Sequence, residues 1–135
     1  MDGTIADLYG VPEWLMLLRE ESPLPYVVAR PLVNMSRLAR ALHKVQRNGY
    51  TVNIISWTAK DGSAEYNKAV EKAKREWLAK HLPSVSWDRI VIVNYGTAKS
   101  SIGRGVLFDD NDEIKEDWGE NAYNPSEIFE VLATV

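Results

Sequence analysis

Apolar residues recur in two rhythms along this chain, one helical and one strand-like. From Asn34 to Asn48, Met35, Leu38, Leu42 and Val45 return at helical spacing while Arg37, Arg40, Lys44 and Arg47 point elsewhere, which predicts an amphipathic helix with a solvated basic face. Gly49 supplies its stop. Ser63 to His81 predicts a second helix, with Tyr66, Val70, Ala73, Trp77 and Leu78 on one face, Glu71, Lys74 and Arg75 on the other, and Pro83 ending it. Val11 to Glu21 reads as a shorter apolar helix, its Trp14–Leu18 face serving as core or lid. Pro23, Pro25 and Pro31 then predict an extended connection over residues 22–32. The strand rhythm is a continuous apolar run. It occurs at Tyr50–Ser56, Arg89–Asn94 and Gly105–Asp109, and a short strand is expected at Ala122–Tyr123. A last helix follows, with Asn124 as cap, Pro125 at its first position and Glu127 completing a capping box.

Helices alternating with strands that are apolar throughout predict an α/β fold in which a mostly parallel sheet is covered on both faces. Composition narrows the function. The 135 residues suit one domain spanning 1–135, with no repeat or linker dividing it. A net charge of -3 and a pI near 5.4 disfavour a polynucleotide partner. The absence of cysteine removes disulfides, thiolate metal sites and cysteine nucleophiles, and suits a cytoplasmic location. No apolar run is long enough to span a bilayer, so no membrane association is expected. His43 and His81 lie on helices without partner histidines and read as structural or solvated. The chain is expected to be a monomer or homodimer.

Four polar signals stand at equivalent places: Asp2–Thr4 at the start, Ser56 at a strand end, Lys99 in a loop after a strand, and Asp109–Asp110 at a strand end. In an open α/β sheet such positions share the crevice beyond the carboxyl ends of the strands. A lysine, a hydroxyl and three carboxylates there suit a divalent cation and an anionic substrate together, because Mg²⁺ reverses the local field and accepts one or two carboxylates plus substrate oxygens. Phosphoryl transfer fits that chemistry.

The order and wording of these signals, MDGT, IIS, YGTAKS and VLFDDND, resemble the four motifs of the haloacid dehalogenase-like (HAD) phosphohydrolases. A brief helical insert at about residues 10–33 makes the chain look most like the small 5'(3')-deoxyribonucleotidase-type members. The resemblance implies a Rossmann-like three-layer fold with a small cap and a Mg²⁺-dependent hydrolase of a small phosphorylated substrate, such as a 5'-nucleotide. It makes Asp2 the general acid and base, with its carbonyl on the metal, and Thr4 a support for that turn. Ser56 would bond a phosphoryl oxygen and Lys99 would neutralise phosphate charge. Asp109 and Asp110 would serve the metal, with Asp112 a less direct candidate. Asp7, Tyr9 and Trp57 are expected to line the substrate pocket.

In that family the nucleophile is an aspartate two residues before Asp2, on the central strand between those ending at Ser56 and Asp109. Neither lies within these 135 residues. Methionine is common between the two family aspartates, so Met1 is expected to be internal, with the natural chain beginning roughly ten residues earlier. The 135 residues alone are expected to be inactive or nearly so. The gap left by the strand must be closed by direct pairing of its neighbours, closed by another chain, or tolerated at a cost in stability. The competing reading is a non-catalytic HAD-like protein that keeps the fold to bind a ligand or partner.

Overall fold

The computed structural model describes residues 1–135. The chain opens in a tight turn in which the Met1 carbonyl accepts from the amides of Thr4, Ile5 and Ala6 at 3.1, 3.0 and 3.2 Å. Gly3 turns the backbone with φ of 71°, a conformation other residues resist. Strand β1 (Ala6–Asp7) and helix α1 (Trp14–Arg19) follow. Helix α1 is shorter at both ends than its apolar pattern predicts, and it buries none of its residues completely.

Residues 22–32 are not the extended connection that three prolines suggest. Leu24–Val28 form helix α2. Pro25 sits in its first turn, where no intrahelical amide donor is required and the fixed φ suits a helix. Strand β2 (Arg30–Pro31) then pairs antiparallel with β1. The insert is docked rather than free. Tyr26 packs with Leu8, Tyr66, Val70 and Ala73 in a second apolar cluster. The Tyr66 hydroxyl donates to the Ser22 carbonyl at 2.9 Å, and the Glu21 carboxylate accepts from the Ser63 amide and hydroxyl at 2.9 and 2.6 Å.

Helix α3 (Met35–Arg47) forms as its periodicity dictates, buries Leu38, Leu42 and Val45, and is capped by the Asn34 side chain accepting from the Arg37 amide at 2.9 Å. Strand β3 (Asn53–Trp57) leads to helix α4 (Ala64–His81), capped by Ser63 accepting from the Tyr66 amide at 3.1 Å. Strand β4 (Arg89–Val93) runs parallel to β3 in register from Asn53 opposite Arg89 to Trp57 opposite Val93. A single 3₁₀ turn, Lys99–Ser101, precedes strand β5 (Leu107–Phe108). Helix α5 (Asp112–Trp118) lies where the sequence suggested no element, capped by Asn111 accepting from the Ile114 amide at 3.1 Å. Strand β6 (Ala122–Tyr123) pairs parallel with β5. The expected capping box at Asn124 and Glu127 opens a 3₁₀ turn that continues into helix α6 (Ile128–Ala133).

The fold is mixed α/β, with short parallel sheets. The parallel strands do not make one sheet: β3–β4 and β5–β6 are separate two-stranded pairs beside the antiparallel β1–β2. Direct pairing of β3 with β5 therefore does not close the gap between them. The main core gathers Leu38, Leu42, Val45, Ile54, Ile128 and Leu132 with Met1 and Ile5. It fixes the opening turn against α3, β3 and α6. No helix is long and apolar enough to cross a membrane.

Candidate functional site

Ser56 near the end of β3, Lys99 after β4, and Asp109 and Asp110 after β5 converge with Asp2 on one cavity of about 670 Å³. The strands deliver these groups because both parallel pairs point their carboxyl ends to the same side. Ser56, Lys99 and Asp109 are buried. Buried polar side chains need partners, and these have them. Lys99 Nζ donates to Asp109 Oδ2 at 2.7 Å, and Asp109 Oδ1 accepts from the Asn111 amide at 3.0 Å.

Lys74 is the group that the sequence reading misplaced. It is 1% exposed, and its Nζ donates to Asp2 Oδ2 at 2.8 Å, Ser56 Oγ at 2.7 Å and the Trp57 carbonyl at 2.6 Å. All three ammonium protons are thereby used. The signal was present. Lys74 lies four residues from both Val70 and Leu78, inside the apolar stripe of α4 rather than on its solvated face. One ammonium thus ties the first turn to the end of β3.

Asp110 lies over the opening turn so closely that a β-carbon on Gly3 would collide with its carboxylate. Its carboxyl is pushed upward, first by desolvation and then by the neighbouring charge of Asp109. The aromatic walls are Tyr9 against Trp14, edge-on with ring centroids 4.9 Å apart, and Trp57 against Tyr95 at 4.8 Å. Trp57 Nε1 donates to the Thr97 carbonyl at 2.8 Å, which fixes its ring. Burial, followed by the charges of Asp110 and Asp2, pushes the Tyr9 phenol up to about 12, so it stays a neutral hydrogen-bonding group at neutral pH. Thr58 also lines the cavity, buried and with no hydrogen-bond partner for its hydroxyl. Its place two residues past Ser56 was the available signal.

Three expected site residues lie elsewhere. Asp7 is outside the cavity lining, and its Oδ1 accepts from the Gly10 amide at 3.0 Å, a turn-forming use of an aspartate. Thr4 borders an apolar slot behind the cavity. Its hydroxyl is buried without a partner, and its backbone amide is what holds the turn. Asp112 extends into solvent at the start of α5 and pairs with Lys115 at 3.2 Å.

No group of three or more His, Cys, Asp or Glu side chains is gathered as a metal cluster. Mg²⁺ does not require one, because it takes one or two carboxylates and completes its shell with water and substrate oxygens. Asp109 and Asp110 at the cavity floor, with Asp110 seated where only a glycine leaves room, fit that donor set. No family model matches the chain, and no characterised protein or solved structure matches it.

The Met1 amine borders the same cavity. Burial, followed by the charge of Lys99, pushes it from 8.0 down to about 6. Between those values the unfolded chain binds the proton and the folded chain does not, so stability rises with pH across this window. For these 135 residues we expect the unfolding free energy to drop by about 2 kcal/mol from pH 8 to pH 6. Urea titrations across that range should show the slope, and acetylating the amine should flatten it.

Proposed function

We propose that the cavity is a phosphomonoester site of the HAD type, and that a form carrying an aspartate directly ahead of Met1 hydrolyses small phosphorylated substrates, 5'-nucleotides among them. The observation that carries this reading is the convergence of Asp2, Ser56, Lys99, Asp109 and Asp110 from separate segments onto one aromatic-walled cavity. Asp109 and Asp110, with the Asp2 carbonyl, would hold a Mg²⁺ ion, which supplies charge neutralisation for the phosphoryl oxygens.

The chain's own residues then have defined tasks. The Ser56 hydroxyl bonds a phosphoryl oxygen, and Lys99 offers its positive charge to the same group. As the carboxylate ahead of Met1 bonds to phosphorus and the ester P–O bond breaks, Asp2 gives a proton to the departing alkoxide. In the second half, Asp2 takes a proton from water while that water attacks the acyl phosphate. Inorganic phosphate leaves and the nucleophilic carboxylate is restored. Lys74, bonded to Asp2 and Ser56 alike, keeps acid and phosphate donor in fixed relation. The Tyr9 and Trp57 rings offer flat apolar faces to a base or sugar.

The test is phosphate release from nucleoside monophosphates by a form extended ahead of Met1 through an apolar strand ending in aspartate. Turnover should require Mg²⁺, and Asp109→Asn should lower kcat by at least about 100-fold. An unchanged rate in Asp109→Asn would remove the metal assignment. Phosphate binding without turnover in every extended form would instead favour the non-catalytic binding protein.

A further inference from the structure

Charge is sorted along this chain. The 39 residues from Ser22 to Lys60 hold six Lys and Arg and no Asp or Glu, so all 19 acids lie elsewhere. Helix α3 concentrates the excess. Its Arg37, Arg40, Lys44 and Arg47 follow one another at steps of three, four and three residues, which lines them up as one stripe about 15 Å long. All four are exposed, and none belongs to any ion pair of the structure. Helix α4 instead pairs its cations internally, Lys72 with Glu76 and Arg75 with Glu71. No acid exists on α3 to do the same, and Glu130 of α6, the helix packed against it, pairs with none of the four. Two members of the stripe are already held in place. The Arg37 guanidinium lies over the Phe129 ring at 3.9 Å, and Lys44 Nζ donates to the Ala133 carbonyl at 3.4 Å. A cation held this way loses less freedom when a partner arrives.

The complementary surface is on the same chain. Glu113 and Glu116 of α5, with Glu120 just past its end, are exposed, and their carboxylates accept no hydrogen bond and join no ion pair. The other acids of the helix are engaged, Asp112 by Lys115 and Asp117 by Ser100. Steps of three and then four residues separate the free glutamates, which is the spacing of Arg37, Arg40 and Lys44 and, read backwards, that of Arg40, Lys44 and Arg47. Ile114, which lines the site cavity, and Trp118, which donates to the Gly105 carbonyl at 2.8 Å, hold α5 to the rest of the chain by its other face.

We propose that the basic stripe on α3 of one copy docks against the free glutamates at α5 of a second copy of this chain. Each copy carries both surfaces, so the contact is heterologous and either closes into a ring or continues from copy to copy. Exposed ion pairs are individually weak and are screened by salt, so the association is reversible and strongest at low ionic strength. Because Asn111 and Ile114 line the site cavity, the docked copy stands at its rim. The inference rests on surface charge and holds or fails independently of the proposed chemistry.

Sedimentation of the chain over a range of concentrations tests it. Association should appear at about 20 mM salt and weaken at least about tenfold by about 500 mM. Reversing either surface, by Arg37→Glu with Arg40→Glu or by Glu116→Lys with Glu120→Lys, should abolish it. These positions suit the helix dipoles, with new acids near the start of α3 and new cations near the end of α5, and urea titration checks that each variant folds. Mixing the two variants should restore association, because the acidic stripe of one then meets the cationic α5 of the other. A mixture that stays dissociated, or a parent that remains monomeric at low salt, would overturn the proposal. So would loss on reversing α3 but not α5, which would assign the stripe to a different acidic surface. Association indifferent to salt would overturn it as well and place the contact on exposed apolar residues such as Leu24 and Val27 of α2.

Discussion

Replacing Lys74 by methionine is expected to lower the unfolding free energy by about 3 kcal/mol, since breaking a buried ion pair leaves its partner uncompensated. The long apolar side chain refills most of the space, so packing contributes little and the lost donors dominate. Asp2 Oδ2, Ser56 Oγ and the Trp57 carbonyl all bond to that single ammonium. The carbonyl is part-buried, and a fully buried acceptor left unsatisfied costs about 1–3 kcal/mol. Urea unfolding of the two proteins measures the difference. Adding Asp2→Asn to Lys74→Met should recover part of the loss by removing the stranded charge. A loss below about 1 kcal/mol would mean that water replaces the ammonium and that Lys74 does not hold the site together.

Lys99→Met is expected to cost a similar or larger amount, about 3–5 kcal/mol. Both members of its ion pair are buried, at 7% and 5% side-chain exposure. Asp109 keeps only the Asn111 amide when the ammonium is gone, and a buried carboxylate so placed is strongly destabilising. The double variant Lys99→Met with Asp109→Asn should regain most of the loss, which the double-mutant cycle reads directly. Added Mg²⁺ should stabilise Lys99→Met more than the parent, because a cation on Asp109 takes over the missing charge. Equal stabilisation of both proteins by Mg²⁺ would place the ion away from Asp109.

The parts of this fold legible in the sequence are those set by local periodicity and local caps. Helices α3 and α4 and the Asn124–Glu127 box needed only neighbours within a turn or two. Strands β3 and β4 lay within their apolar runs. Helix α2 was hidden because three prolines read as breakers, although Ser22 ahead of Pro23 was a start signal, and its hydroxyl accepts from the Leu24 amide at 3.3 Å. Helix α5 was hidden for the opposite reason. Its run DEIKEDW is almost wholly charged, and only Ile114 and Trp118, four residues apart, trace a face.

The site was legible as strand ends and motif order, which brought Asp2, Ser56, Lys99, Asp109 and Asp110 together. What escaped was long-range. Lys74 was assigned to solvent because lysines on helices usually point there, yet its partners lie 72 and 18 residues away. Asp7 next to the first turn looked like a pocket residue, and a glycine three positions on claimed its carboxylate. The division of the sheet into two pairs could not be read from the strands themselves, since each was as apolar as a fully paired strand.

The insert's attachment shapes the mouth of the cavity. Glu21 holds both polar groups of the residue that caps α4, and Tyr26 is sunk among Tyr66, Val70 and Ala73. Swinging the insert outward would break both bonds to Ser63 and expose that cluster together. One wall of the cavity mouth is therefore held by the packing of Tyr26 and the Glu21 bonds rather than by the short helices α1 and α2 themselves.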